Sequence, residues 1–131
     1  MLNRNIGDRQ AELDATTKVG LARILVHEVE AALPPLLAAA EEFADVEDSP
    51  AYARLTDIIA RAQMRHGRVR EAIEWCDRGL PIAERHDERG VALELLITRG
   101  TVLGSEGRLI EAVATLRGAR IIAAEQGLTQ L

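Results

Sequence analysis

The chain has 131 residues, of which 47% are hydrophobic, and it carries a formal net charge of −5. This length fits one domain, and the apolar fraction is too high for a disordered segment. The acidic balance argues against direct nucleic-acid binding, which usually needs a basic surface, and against docking on an anionic membrane.

The sequence shows neither a membrane span nor an export signal. It contains no run of 18 apolar residues, and residues 1–5 lack the basic and apolar regions of a signal peptide. Cys76 is the only cysteine, so it cannot form an internal disulfide, and we expect it to be a small buried core residue. These features predict a cytoplasmic protein.

A period of 40 residues organises the chain. The segment Gly67-Arg68-Val69-Arg70-Glu71-Ala72 returns as Gly107-Arg108-Leu109-Ile110-Glu111-Ala112, and a weaker copy begins at His27. Alanine occupies the same column of every period, at positions 32, 72 and 112. A fixed period of this size indicates stacked helical repeats.

Within each period, apolar and small residues recur at spacings of three or four, which is the helical period. The pattern predicts six helices in three hairpins, and the hairpins turn at His27, Gly67 and Gly107. In chain order the predicted helices are 9–26 and 28–44, then 53–66 and 68–85, then 92–106 and 108–126. The corresponding repeats, 9–48, 49–88 and 89–131, form a single array over residues 1–131.

Prolines complicate the first repeat. Pro34 and Pro35 fall inside the predicted second helix, where each removes a backbone donor and bends the helix. In the alternative interpretation, the first helix continues to about Ala32 and a new helix starts at the two prolines, since proline is favourable in a first turn. Pro81 predicts a bend near the end of the fourth helix, which Gly79 makes easier.

These columns resemble the tetratricopeptide repeat (TPR) family over nearly the whole chain. The matching features are small residues in the middle of the first helix, glycine at the turn and a Glu-Ala pair early in the second helix. The third repeat has them as Gly100, Gly107, Glu111 and Ala112. The period of 40 exceeds the usual figure of about 34, and Gln63 and Leu103 stand where tyrosine is common. This long-period form is similar to repeats in large bacterial signalling and transcription-regulatory proteins.

The resemblance implies an all-α fold, a right-handed α-α superhelix of three helical hairpins whose first helices line a concave groove. It also implies a non-enzymatic protein–protein interaction scaffold, the TPR segment of a larger bacterial signalling or transcription-regulatory protein. The alternative is a sensor domain that binds a peptide or small ligand in the same groove.

Ligand-facing positions of the family map onto one face of each first helix. Arg54 and Arg61 lie about two turns apart on that face, and their guanidinium forks suit a carboxylate of a partner. An ordinary charged solvent face is the alternative, while the apolar members could receive a partner helix or a neighbouring subunit. The candidate groove residues are Asp14, Thr17, Leu21, Ile24, Arg54, Asp57, Arg61, Met64, Arg65, Glu94, Ile97 and Thr101.

No catalytic motif is present. The three histidines, His27, His66 and His86, have no Cys or carboxylate at metal-ligand spacing, and the sequence has no phosphate-binding glycine loop. We therefore expect no enzyme activity, no cofactor and no metal.

The two ends of the sequence both align with junctions between repeats. Residues 5–8 align with 85–88, and Gln126-Gly127-Leu128 occupies the same exit position, without a capping helix after it. We expect a fragment of a longer array, although a natural short protein remains the alternative. Uncovered repeat ends expose apolar surface, which predicts a homodimer or swapped assembly through the terminal hairpins.

Overall fold

A computed structural model describes residues 5–127 of the chain. Within this range the protein consists of helices and connecting turns, with no strand, so the predicted all-α class is confirmed. Each of the six predicted helices overlaps one observed α-helix. The helices are α1 (Ile6–Leu25), α2 (Val29–Glu42), α3 (Pro50–Arg65), α4 (Val69–Arg85), α5 (Arg89–Ser105) and α6 (Leu109–Glu125), with a short 3-10 helix at Ala44–Val46.

The helices pack as three consecutive pairs, α1 with α2, α3 with α4 and α5 with α6. In addition, α3 contacts both members of the first pair, and α5 contacts both members of the second pair. The first helices therefore form a row in the order α1, α3, α5, and the core lies between this row and the second helices. Contacts only between neighbouring pairs are typical of a repeat architecture.

The turn inside each pair has the same hydrogen bonding. The amides of Glu28, Arg68 and Arg108 each bind the carbonyl oxygen five residues earlier, at 2.8, 2.8 and 3.0 Å. This closure requires one residue in the left-handed region, and Gly67 and Gly107 supply it with φ values of 78° and 75°. His27 has the same conformation, with φ of 65°, in the repeat that lacks the turn glycine.

Small residues let the paired helices approach closely. A Cβ atom placed on Gly20 would lie 2.6 Å from Cδ2 of Leu36, and one placed on Gly100 would lie 2.6 Å from Cδ2 of Leu116. The middle repeat has Ala60 in the glycine column and Cys76 in the leucine column, and both are fully buried. Burial raises the pKa of the Cys76 thiol to about 12. The prediction that Cys76 is a core residue is confirmed.

Both prolines of the first repeat lie inside α2, on its exposed face. The alternative with a helix starting at Pro34 is wrong, since α1 ends at Leu25 and α2 begins five residues before Pro34. Pro35 has no N–H for the carbonyl oxygen of Ala31, four residues earlier. Nη1 of Arg23 donates to that oxygen at 3.3 Å, so a side chain of α1 replaces the missing donor. Pro81 lies inside α4, as predicted.

The connection from the first pair to the second differs from the other turns. After the 3-10 helix, the hydroxyl oxygen of Ser49 accepts from the amide of Tyr52 at 3.1 Å and caps α3. The fully buried Tyr52 hydroxyl donates to the carbonyl oxygen of Ala40 at 2.8 Å. This bond fixes the start of α3 against the end of α2.

Candidate functional site: a groove across the first helices

A groove with a volume of about 590 Å³ crosses the row of first helices. It lies on the row because the 40-residue period places equivalent faces of α1 and α3 side by side, while the start of α5 closes it. Its lining residues are Asp14, Thr17, Lys18 and Leu21 of α1, Arg54, Asp57, Ile58 and Arg61 of α3, and Glu88, Gly90, Val91 and Glu94 at the start of α5.

Each of the three helices contributes one aliphatic side chain to the groove. Ile58 of α3 is only 5% exposed, whereas Leu21 of α1 and Val91 of α5 are half-buried. Aliphatic side chains that converge in a concave site favour burial of an apolar group from a ligand. The groove therefore has an apolar floor, which we define as Leu21, Ile58 and Val91.

One wall is organised by Arg54. Its Nε and Nη2 atoms donate to the two carboxylate oxygens of Asp14, each at 2.9 Å, while Nη1 donates to Glu88 at 2.7 Å. The hydrogen bonding that Arg54 donates to Asp14 is the main cause that raises the pKa of Arg54. Because Asp14 lies on α1 and Glu88 directly precedes α5, this guanidinium connects all three helix pairs.

A second ion cluster surrounds Arg61. Nη2 of Arg61 lies 3.0 Å from Asp57 on the same helix and 3.1 Å from Glu94 on α5. The Asp57 side chain is 7% exposed. Burial raises its pKa to about 6, the nearby Glu94 carboxylate adds to the rise, and Arg61 opposes it. The groove thus contains a nearly buried carboxyl group whose pKa is raised by burial.

The structure brings together seven of the twelve residues that the sequence predicted for the groove. The other five lie outside it. Ile24 is a core residue at 1% exposure, Met64 is half-buried, and Arg65 donates to the carbonyl oxygen of Ile24 at 3.3 Å. Ile97 and Thr101 are exposed on α5 beyond the groove. The seven are Asp14, Thr17, Leu21, Arg54, Asp57, Arg61 and Glu94.

Sequence reasoning missed five lining residues. Lys18 and Ile58 occupy one repeat column, directly after the predicted Thr17 and Asp57, so the column pattern contained a signal for them. Glu88, Gly90 and Val91 had no such signal. The groove crosses α1 at residues 14–21 but reaches α5 at residues 88–94, six positions earlier in the repeat. The groove therefore follows equivalent columns on α1 and α3 but shifts toward the start of α5, so a mapping by equivalent columns places its third wall too far along α5.

The two arginines proposed as carboxylate-binding forks already bind carboxylates of this chain. Arg54 holds Asp14 and Glu88, and Arg61 holds Asp57 and Glu94. A partner's carboxylate would have to displace these ion pairs, so the side-chain geometry gives the fork hypothesis no support. Lys18 is the one groove cation without an ion pair to another described residue.

In comparisons with known proteins, no family model, curated protein or solved structure matches the chain. Within residues 5–127, no group of three or more His, Cys, Asp or Glu side chains is arranged to hold a metal ion. Over the same range, none of the helices has the length and apolar character needed to cross a membrane.

Proposed function

We propose that the protein is a non-enzymatic protein–protein interaction scaffold, and that it binds an amphipathic segment of a partner in the groove. The observation that carries this proposal is the apolar floor of Leu21, Ile58 and Val91, contributed by three different helices between walls of paired charges. A segment with one apolar stripe would bury that stripe on the floor. Its polar side would remain in water.

The arginines of the groove have a structural role, because both form ion pairs with carboxylates of this chain. Arg54 and Arg61 link neighbouring helices through Asp14, Glu88 and Glu94, and this holds the walls in place before a partner arrives. A preformed site reduces the ordering cost of binding. Affinity would then come mainly from apolar burial, while the partner's polar groups select among sequences at the rim.

We further infer that the row of first helices is the inner face of a TPR-like right-handed superhelix. Support comes from the 40-residue period, the repeated turn closure and contacts limited to neighbouring pairs. From the resemblance to long-period repeats we propose that the chain is the scaffold segment of a larger bacterial signalling or transcription-regulatory protein, and we propose that it acts in the cytoplasm. Its partner would be another protein of the same system.

Selection from a displayed library of random 15-residue peptides tests the groove. Binders selected on the wild-type chain are measured against Leu21→Arg and Val91→Arg, each of which places a charged, bulky side chain on the apolar floor. We expect at least a tenfold loss of affinity with folding retained in a thermal melt. Ala38→Arg, on the exposed face of α2 outside the groove, is the matched control and should bind normally. Equal binding by all three variants contradicts the proposal.

A second candidate, a sensor of a small ligand, is favoured by the dimensions of the groove and by Asp57. The volume of about 590 Å³ lies within the range typical of small-molecule sites. Asp57 adds a nearly buried carboxyl group. A thermal-shift screen with metabolites discriminates the two functions, because a ligand that binds only the folded state raises the melting temperature. A metabolite whose effect disappears in Val91→Arg would favour the sensor.

A further inference from the structure

The chain uses the same interface twice. Helix α3 covers the first helix pair, and α5 covers the second pair in the same way. Leu36 and Cys76, which occupy equivalent positions on the two covered second helices, are both 0% exposed. A Cβ atom on Gly79 of α4 would lie 3.0 Å from Cδ1 of Leu95 on α5, which shows which columns meet across this interface.

The third pair presents the receiving half of this interface without a cover from the described residues. Leu116, in the column of Leu36 and Cys76, is 42% exposed. Val113 is 48% exposed, whereas its equivalent Leu33 is 6% exposed. Leu109 extends the same apolar surface toward the start of α6. We call these three α6 residues, Leu109, Val113 and Leu116, the receiving face.

Helix α1 presents the inserting half. Ala15, Val19 and Ala22 are exposed, although the equivalent α3 residues, Leu55, Ile59 and Ala62, are all 0% exposed against the first pair. In α5, the residue in the Val19 column is Arg99. Its Nε donates to Asp77 of α4 at 2.7 Å, while Nη1 donates to Thr115 of α6 at 3.0 Å, so this column reaches the preceding helix pair as well as its own. We call Ala15, Val19 and Ala22 the inserting face.

The two uncovered halves are complementary in size. Leu95 meets Gly79 across the covered interface, and the third pair has the larger Ala119 in the column of Gly79. The inserting side has the smaller Ala15 where α5 has Leu95. A larger residue on one side therefore faces a smaller one on the other, as close packing requires.

Charge argues against two receiving faces packing on each other. Arg117 and Arg120 follow Val113 at helical spacing and are exposed, and neither forms an ion pair with a described residue. A symmetric contact between two α6 helices would bring four guanidinium groups together. An α1 helix would meet this surface with mostly small apolar side chains instead.

We propose that α1 of a second copy of this chain docks on the receiving face of the first, in the position that α3 and α5 occupy within the chain. This contact joins two different surfaces, so each added copy presents a new receiving face. Such head-to-tail association continues beyond a dimer unless the rotation closes a ring. The interface is separate from the apolar floor of the groove, and the proposal does not depend on the partner bound there.

Sedimentation equilibrium over a range of chain concentrations tests the proposal with three full-length variants. We expect the wild-type average mass to rise past that of a dimer. Val19→Glu removes the inserting face and Val113→Glu removes the receiving face, so each alone should remain monomeric. Their equimolar mixture should form a 1:1 dimer that does not grow, because each variant retains the surface that the other has lost. Ala38→Glu, exposed on α2, should assemble like the wild type.

A wild-type chain that is strictly monomeric at the highest concentration overturns the proposal. So does a dimer that persists in Val19→Glu but is lost in Val113→Glu, because that result assigns the contact to two α6 helices. Circular dichroism verifies that each variant is folded. If one is not, Ala15→Glu and Leu109→Glu change the same two faces at exposed positions and give the same pair of outcomes.

Discussion

Leu36 packs directly on Gly20, so closely that a Cβ atom on the glycine would lie 2.6 Å from Cδ2 of the leucine. The same relation recurs 80 residues later between Leu116 and Gly100. The middle repeat has Ala60 and Cys76 in these two columns. Compared with the Gly and Leu of the other repeats, the side chain on the first helix is larger by a methyl group and the side chain on the second helix is smaller. Helix spacing within each pair is therefore set jointly by two columns 16 residues apart.

The two glycines should respond differently to alanine. We expect Gly20→Ala to destabilise the fold by about 1 to 3 kcal/mol, because Leu36 is fully buried and has no room to move. Gly100→Ala should stay within about 1 kcal/mol of the wild type, since Leu116 is 42% exposed and can move aside while helix propensity improves. Urea denaturation of both variants measures the difference.

A double-mutant cycle tests whether contact with Leu36 causes the destabilisation expected for Gly20→Ala. Adding Leu36→Cys to Gly20→Ala reproduces the Ala60 and Cys76 pair, so the double variant should be more stable than the sum of the two single changes predicts. Additive effects would show that the contact does not limit the approach of α1 to α2. The four unfolding curves needed, for the wild type, the two single variants and the double variant, are obtained under identical conditions.

The repeat pattern predicts most of the fold, but it does not predict at which position along its length each first helix meets the next. Periodicity predicted six helices and placed the turn at His27, because the hydrogen bonds of the turn depend on local spacing and one left-handed residue. It also predicted that Asp14 and Arg54, one period apart, share a face. It did not predict Glu88 and Val91 in the groove, since the way one helix crosses the next depends on packing between distant side chains. The ion pairs of Arg54 with Asp14 and Glu88, and of Arg61 with Glu94, were missed for the same reason, whereas Asp57 pairs with Arg61 four residues away on α3.

Removing the Arg54 side-chain charge should weaken the fold modestly. Arg54→Met breaks the pairs with Asp14 and Glu88, and we expect a loss of about 1 kcal/mol, because these groups are partly exposed to solvent. Arg70→Met on α4 is the control, since Arg70 is exposed and forms no ion pair with a described residue. Urea denaturation at low and high salt should show that the difference in the free energy of unfolding between the two variants decreases as the salt concentration rises. A difference that persists in 1 M salt would contradict an electrostatic origin.

Asp57 should make stability depend on pH in an unusual direction. Its pKa is raised from 3.8 to about 6 in the folded protein, so folding favours the protonated form. The penalty for ionising this group in the folded state is absent below pH 3.8, develops as pH rises toward 6, and is constant above that. A shift of this size corresponds to about 2 to 3 kcal/mol.

Comparison with Asp57→Asn isolates this effect from the other carboxyl groups. The variant should gain stability relative to the wild type between pH 4 and pH 7, as measured by urea denaturation at each pH. The lowered pKa values of Asp45 and Asp48 act in the opposite sense in both proteins and cancel in the difference. A relative loss of stability with rising pH would show that Arg61 dominates over burial.

Glycine in place of His27 should stabilise the turn between α1 and α2. His27 has a φ of 65°, a region that costs a side chain with a Cβ atom roughly 1 to 2 kcal/mol. We expect His27→Gly to raise the stability by about 0.5 to 1 kcal/mol, part of the gain being offset by the greater freedom of glycine in the unfolded chain. Gly67→Ala, at φ of 78°, is the reciprocal control and should destabilise. Differential scanning calorimetry measures both, and a lower melting temperature for His27→Gly would show that the imidazole has a role of its own.

The most direct test of the interaction groove maps where a peptide selected on this chain binds. Amide chemical shifts of the ¹⁵N-labelled protein, recorded during titration with that peptide, report the location residue by residue. We predict that the largest changes occur around Leu21, Ile58 and Val91, on three helices that are distant in sequence but share the floor of the groove. Changes confined to α6 or to the outer face of α2 would contradict it and move the binding surface away from the groove.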